Sequence, residues 1–103
     1  MIRVLIKTCN SKILRIELKG HADYADEGHD IVCAGVSACF LGALKAVKNA
    51  ESVKYSYEKG QGYVEATKEI TSYDSIVLDV LYRQLELIAK SYPEFVEIIN
   101  ERN

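Results

Sequence analysis

The sequence lacks several features that mark specialised classes of protein. Its 103 residues include one proline, no tryptophan and six glycines. A collagen-like or low-complexity chain would carry much more proline and glycine, so both classes are excluded. Hydrophobic residues make up 49% of the chain and charged residues 27%, as in an ordinary globular protein. We therefore expect a single domain that spans residues 1–103.

The sequence also lacks an excess of one charge and a long hydrophobic run. Thirteen Lys and Arg residues against fifteen Asp and Glu residues give a net charge of −2. Direct binding to nucleic acid usually needs a basic excess, so no direct nucleic-acid partner is expected. The longest apolar stretch, 31–44, is shorter than the ~20 residues that span a bilayer. Since the amino-terminal segment is too charged for a signal peptide, we expect a cytoplasmic protein with no membrane partner.

Cysteines are few, and their number is odd. The chain has three, Cys9, Cys33 and Cys39, so a disulfide framework is not expected in a reducing compartment. Each cysteine must then be a core residue, a metal ligand or a reactive thiol. Cys39 lies among apolar residues of a predicted helix and is expected to act as a small hydrophobic residue.

Hydrophobic periodicity predicts an α+β fold with the order ββαββα(α). Alternating apolar and polar residues predict strands at 2–7, 14–19, 53–58 and 63–67. Helical spacing predicts helices at 30–48 and 73–91, and Pro93 is expected to begin a short terminal helix. The first helix is rich in Ala and Gly and apolar almost all round, so it should be central and buried on more than one side. The predicted architecture is a two-layer sandwich with an antiparallel sheet.

The residues best suited to chemistry lie in and after an acidic loop predicted at 20–29. Asp30 is a good helix N-cap, which would make Cys33 the third helical residue. Its sulfur would then lie beside unpaired backbone N–H groups and the positive end of the helix dipole, which stabilise a thiolate and can also bind an oxyanion. The chain's two histidines, His21 and His29, both lie in this loop. His29 directly precedes the cap and should point away, whereas His21 can fold back over the helix terminus as a base.

Other interpretations of the same residues stay open at this point. Cys33 could be a buried apolar cysteine, Asp30 a plain helix cap and Ser37 a small helix-packing residue. A mixed metal site could combine His21, His29 and Cys33 with an aspartate, but this spacing matches no usual zinc signature. A thiol redox role would need a resolving cysteine, and none has the C-x-x-C spacing.

Two segments carry a close resemblance to a known family. They are Gly20-His21-Ala22 and Gly28-His29-Asp30-Ile31-Val32-Cys33-Ala34-Gly35-Val36-Ser37. Together they resemble the signature of the bacterial ribosomal-processing cysteine protease Prp family, and the similarity in length and element order extends over essentially the whole chain. Gly35 departs from the pattern, where alanine is expected, and this change should affect helix packing more than chemistry.

The resemblance implies a function and a set of site residues. It implies a cytoplasmic, homodimeric thiol endopeptidase that removes the short N-terminal extension of large-subunit ribosomal protein twenty-seven, without a metal or organic cofactor. Cys33 would be the nucleophile and His21 the general base and acid. The residues implied to shape the site and contact the substrate are Gly20, Asp30 and Ser37. A competing prediction is a non-catalytic, ribosome-associated peptide-binding module, which would need neither the thiol nor the imidazole.

Overall fold

A computed structural model describes residues 1–26 and 29–102 of the chain. Within these residues, the chain forms five strands and two helices, and each helix follows a pair of strands. The elements are β1 (Ile2–Cys9), β2 (Lys12–Lys19), α1 (Ile31–Ala46), β3 (Val53–Glu58), β4 (Gln61–Ala66), α2 (Ser72–Ser91) and β5 (Val96–Arg102). The four predicted strands and the two long predicted helices are all present, which confirms the α+β class.

The strands form a single sheet in the order β3-β4-β2-β1-β5. The pairs β1/β2, β2/β4 and β3/β4 are antiparallel. A tight turn joins β1 to β2, and both of its central residues, Asn10 and Ser11, have positive φ angles, of 54° and 67°. Positive φ at both central positions matches the twist of a two-residue hairpin, as expected from the turn-like sequence there.

The last strand corrects the prediction of a short terminal helix. Pro93 lies in a turn, and the residues from Val96 onward pair in parallel with β1, so the sheet is mixed and not wholly antiparallel. Burial follows a period of two here, because Val96 is 2% exposed and Ile98 packs on the core while Glu97 faces solvent. Pairing with β1 also satisfies the backbone groups that β1 would otherwise leave at an open edge.

One hydrophobic core lies between the sheet and the helices. The alternate residues Val4 and Ile6 of β1 face it, opposite Leu18 and Ile16 of β2. Both helices contribute to the same core cluster, chiefly through Val32, Val36, Phe40, Leu78, Leu81 and Leu85. The other face of the sheet is polar, and its charged side chains include the ion pairs of Arg15 with Glu17 and Glu65. The fold therefore has two layers, as predicted.

Helix α1 is less enclosed than its sequence predicts. Its buried residues, Val32, Val36 and Phe40, lie along one face, whereas Ile31 is 57% and Leu41 is 43% exposed. The prediction of burial on more than one side is therefore wrong for the single chain, because the sheet and α2 cover only part of the helix. Neither helix in the described residues has the length and apolarity needed to cross a membrane.

A buried carboxylate joins the end of α1 to the start of α2. Asp74 is 0% exposed and accepts hydrogen bonds from the backbone N–H groups of Lys48 and Asn49, at 2.9 and 3.1 Å. Burial opposes its ionisation, but these bonds and those from the side chains of Ser52 and Thr71 outweigh burial and lower the pKa of Asp74. The carboxylate thus fixes α1 against its neighbour and holds the helix that carries Cys33.

Replacing Asp74 with alanine should lower the free energy of unfolding by about 3 kcal/mol, because two part-buried backbone N–H groups lose a charged acceptor. Urea unfolding at neutral pH measures this difference. Asp79→Ala is the matched control, since Asp79 is half-exposed on the same helix and pairs only at the surface with Arg83. That control should cost less than ~1 kcal/mol.

The same carboxylate should make stability depend on pH. Because the pKa of Asp74 is lower in the folded than in the unfolded chain, its stabilisation is complete above the unfolded value of about 3.9 and is lost as the pH falls through the folded value. Asp74→Asn should therefore flatten the acid limb of the stability profile. An acid limb as steep as that of the wild type would contradict this role.

Candidate active site

Helix α1 begins as the sequence predicts. Asp30 is its N-cap, with extended backbone angles (φ −83°, ψ 98°). One carboxylate oxygen, Oδ1, accepts hydrogen bonds from the backbone N–H groups of Val32 and Cys33, at 3.0 and 2.9 Å. These groups have no partner within the helix, so the cap satisfies them and leaves Cys33 in the first turn, as the third helical residue.

The second oxygen of the same carboxylate holds the preceding loop. Oδ2 of Asp30 accepts a hydrogen bond from the backbone N–H of Tyr24, at 3.0 Å. Burial opposes ionisation of this carboxyl, but the backbone N–H groups of Cys33, Tyr24, Ala25 and Val32 together outweigh burial and lower the pKa of Asp30. The carboxylate therefore stays ionised in ordinary conditions and joins the loop to the start of the helix.

The loop places an N–H group directly on the sulfur of Cys33. The backbone N–H of Ala22 donates to Sγ at 3.2 Å, and Ala22 itself is 2% exposed. The N–H dipole is therefore aimed at the sulfur. This contact joins the start of the loop to the helix terminus and so brings His21, the preceding residue, to the same place.

Backbone contacts fix the chain on both sides of the His21 ring. The N–H of Gly20 donates to the carbonyl of Gly60 at 2.9 Å, and the amino group of Met1 donates to the carbonyl of His21 at 2.6 Å. Gly20 has a φ of +95°, and a Cβ there would clash with the carbonyl oxygen of Met1. Only glycine fits between the end of β2 and the start of β1 at this point.

A cavity of about 640 Å³ lies between the loop, the first turns of α1 and the β3–β4 turn. All the residues that the sequence analysis selected for the site line it, namely Gly20, His21, Asp30, Cys33 and Ser37. His29 lines it too, so both histidines of the chain border the cavity. Gly28 of the signature and Glu27 of the acidic loop lie outside the described residues.

Several lining residues were not selected from the sequence. Tyr57 of β3 donates a hydrogen bond from its hydroxyl to Oγ of Ser37 at 3.0 Å, and its ring stacks on Phe40 with centroids 5.6 Å apart. Lys59 and Gly60 of the β3–β4 turn and Gln61, the first residue of β4, also line the cavity. The sequence marks this stretch as a turn, but only the pairing of β4 with β2 places it beside the loop.

The other interpretations of the cysteines can now be compared with the structure. Among residues 1–26 and 29–102, no three His, Cys, Asp or Glu side chains form a group that could hold a metal ion. Cys39 packs against the core, and burial raises the pKa of its thiol, which confirms it as a small hydrophobic residue. Cys9 is exposed and unpaired by a disulfide.

Known proteins share both the sequence and the fold. The family model described as "Cysteine protease Prp" matches residues 1–97. This chain belongs to the Prp family of cysteine proteases. The resemblance seen in the sequence is therefore confirmed, and the protein is a cysteine protease.

Individual Prp relatives agree in sequence and in structure. The ribosomal processing cysteine protease Prp of Staphylococcus aureus is 30% identical over 91 residues, which are 84% of this chain and 86% of that protein. The crystal structure of the S. aureus protease with a covalently linked product peptide matches with a TM-score of 0.90 at 27% identity, covering 98% of this chain and 100% of that one. Its complex with a substrate peptide matches with a TM-score of 0.84 at 26% identity and the same coverage.

The local environments predict that the cysteines of this Prp-family protein react at different rates. At neutral pH, iodoacetamide should label Cys33 at least about tenfold faster than Cys39. The reason is that burial raises the pKa of the Cys39 thiol, whereas Sγ of Cys33 receives an N–H donor. Peptide mass spectrometry after quenching measures both rates. The rates should converge in guanidinium, and equal rates in the native protein would contradict the prediction.

Proposed function

We propose that this protein is a thiol endopeptidase of ribosome maturation, which removes the short N-terminal extension of large-subunit ribosomal protein twenty-seven in the cytoplasm. The observation that carries the proposal is the presence of the Cys33 thiol and the His21 imidazole in one cavity at the start of α1. The S. aureus relative is named as a ribosomal processing protease, and its crystal structures hold a substrate peptide and a linked product peptide.

The proposed reaction passes through a thioester on Cys33. His21 takes the thiol proton, and the thiolate attacks the carbonyl carbon of the scissile peptide bond. His21 then returns the proton to the leaving amine as the C–N bond breaks, and the first product departs. A water molecule, deprotonated by His21, attacks the thioester carbonyl. The C–S bond then breaks, His21 returns the proton to the sulfur, and the second product leaves as a carboxylic acid. No metal ion or organic cofactor enters these steps.

A backbone N–H group supplies the electrostatic part of the mechanism. In the free enzyme, the N–H of Ala22 donates to the sulfur of Cys33. Once sulfur has formed a bond to carbon, negative charge develops on the carbonyl oxygen. We assign the N–H of Ala22 to this oxyanion, because the N–H groups of Val32 and Cys33 are already held by the Asp30 carboxylate.

The rest of the cavity suits an extended peptide with an apolar end. Ile2, Leu18 and Val36 line its apolar part. This part fits a substrate that is apolar before the cleavage site and ends there in an aromatic residue, as the resemblance to the Prp family implies. Ser37 already accepts a hydrogen bond from Tyr57, so its own hydroxyl hydrogen is available to a substrate carbonyl. We assign Gly20, Asp30 and Ser37 to shaping the site and contacting the substrate. The acidic loop suits a basic ribosomal substrate.

Cleavage of a peptide that spans the N-terminal extension tests the proposal. The wild type should make a single cut after the apolar, aromatic-ending segment, as followed by mass spectrometry. Cys33→Ala should abolish the cut because no nucleophile remains. His21→Ala should lower kcat by about 10²- to 10⁴-fold, the range for loss of a general base. Cys9→Ala, which removes an exposed cysteine far from the chemistry, is the matched control and should cleave normally.

Each outcome bears on a different part of the proposal. Cleavage by Cys33→Ser near the wild-type rate would overturn the thiolate mechanism, and unchanged cleavage by His21→Ala would remove the assigned base. An intact peptide with a folded, reduced wild-type enzyme would overturn the proposed substrate. In that case, the fast labelling of Cys33 would still mark the catalytic thiol.

We also propose that the protein acts as a homodimer. The outer face of α2 supports this, because Ile76, Val80 and Leu87 lie within one arc of the helix and are 63%, 47% and 65% exposed. Tyr73, at 48%, extends the same stripe by one turn. Arg83 interrupts this stripe between Val80 and Leu87. An exposed apolar stripe of this kind is a typical interaction surface, and a two-fold axis would pair it with itself.

The mass in solution tests the homodimer. Sedimentation equilibrium of the wild type should give twice the chain mass of 11.6 kDa. Ile76→Glu combined with Leu87→Glu should give a monomer, because charges in the apolar stripe would be buried without partners. Tyr55→Glu, which changes an equally exposed hydrophobic residue on β3, should stay dimeric. A wild type that is monomeric at every concentration would contradict the homodimer.

A further inference from the structure

The β3–β4 turn touches the ring of His21 through a residue that has no side chain. Gly60 lies at the tip of this turn with a φ of +82°. A Cβ built on Gly60 would lie 2.7 Å from Nε2 and 2.8 Å from Cε1 of His21. Real Cβ atoms do not approach other heavy atoms so closely, so the outer edge of the imidazole occupies the space that any side chain at this position would need.

The turn is held beside the ring by the sheet. Lys19 of β2 pairs with Gln61 of β4, and one step further the N–H of Gly20 donates to the carbonyl of Gly60 at 2.9 Å. This hydrogen bond joins Gly20, which precedes His21, to Gly60, which the His21 ring contacts. Backbone and ring therefore meet the same turn, and Lys59, Gly60 and Gln61 form one wall of the cavity that also contains Cys33.

We propose that Gly60 is a positioning residue of the active site. Because it has no side chain, the β3–β4 turn can pack against the His21 imidazole and hold it in the cavity that contains Cys33. This inference rests on the proposed role of His21 as the base. A side chain at Gly60 would push the ring away from the turn, and the ring can move only into the cavity or toward solvent. Proton transfer depends on hydrogen-bond reach, so a displacement of about 1 Å is enough to slow catalysis strongly.

Gly42, Gly35 and Gly62 do not have this relation to the ring of His21. A Cβ at Gly42 would meet nothing within 4 Å, and one at Gly35 would touch only the end of Ile88, at 3.7 Å. A Cβ at Gly62 would be tight against the carbonyl of Ser56 and the ring of Tyr57, both at 3.1 Å. Among these four, only Gly60 would place a Cβ against the imidazole of His21.

The first test is kinetic and spectroscopic. Gly60→Ala should lower kcat by about 10- to 100-fold while KM changes little, since the ring and not the peptide site is displaced. It should also shift the Hε1 proton resonance of His21. Because the chain has only two histidines, His29→Gln identifies that resonance without ambiguity. Gly42→Ala is the matched control and should change neither kcat nor the resonance.

The second test separates the ring contact from backbone strain. A positive φ strains any residue with a Cβ, so Gly60→Ala should lower the melting temperature in every background. In a His21→Ala background the ring is gone and only the strain remains, so the loss should be smaller there than in the wild type. Gly60→Asn tolerates the left-handed backbone better and serves if the alanine variant does not fold.

The outcomes decide the inference independently of the proposed function. Equal losses of melting temperature in the two backgrounds would overturn it, because the cost would then be backbone strain alone. An unmoved His21 resonance would overturn it as well, and so would an unchanged kcat. Since the resonance and the melting temperatures need no substrate, a failure to cleave the ribosomal peptide would count against the proposed function only.

Discussion

The site depends on the two oxygens of one carboxylate. Asp30 satisfies the first N–H groups of α1 with Oδ1 and holds the loop backbone with Oδ2. Because this group stays ionised, both of its oxygens accept hydrogen bonds, one from the helix and one from the loop. The loop held in this way places the N–H of Ala22 against the sulfur of Cys33. A neutral cap would start the helix equally well, but it would leave the loop without its second acceptor bond.

The sheet provides the opposite wall of the cavity. The pairing of β4 with β2 carries the β3–β4 turn to the end of β2, where the loop begins. Each of these two segments has a glycine where they lie side by side. At Gly20 the chain passes close to the carbonyl of Met1, and at Gly60 it passes close to the ring of His21. The two walls thus come from segments about forty residues apart in the sequence, and they meet because of strand register and not because of local propensity.

The parts that could be predicted from the sequence are those governed by neighbouring residues. The cap at Asp30 follows from the preference of aspartate for this position, and the cap then places Cys33 three residues later in the first helical turn. Both predictions are confirmed. The prediction of a terminal helix is wrong because Val96 and Ile98 suit either a helix or a strand. Pairing with the open edge of β1 selects the strand. Tyr57 could not be found either, because its alternation on β3 is ordinary for a strand, and its bond to Ser37 depends on how α1 crosses the sheet.

The three cysteines of the chain lie in different surroundings. Cys9 ends a strand in solvent, Cys39 packs on the core where burial raises the pKa of its thiol, and Cys33 lies at a helix N-terminus with an N–H on its sulfur. Because the residue type is the same, any difference in reactivity between them comes from donors and dielectric. In the proposed function, the reactivity of Cys33 therefore depends on the loop and the cap as much as on the sulfur. We expect a chain that kept the thiol but lost the second hydrogen bond of Asp30 to keep the fold and lose the site.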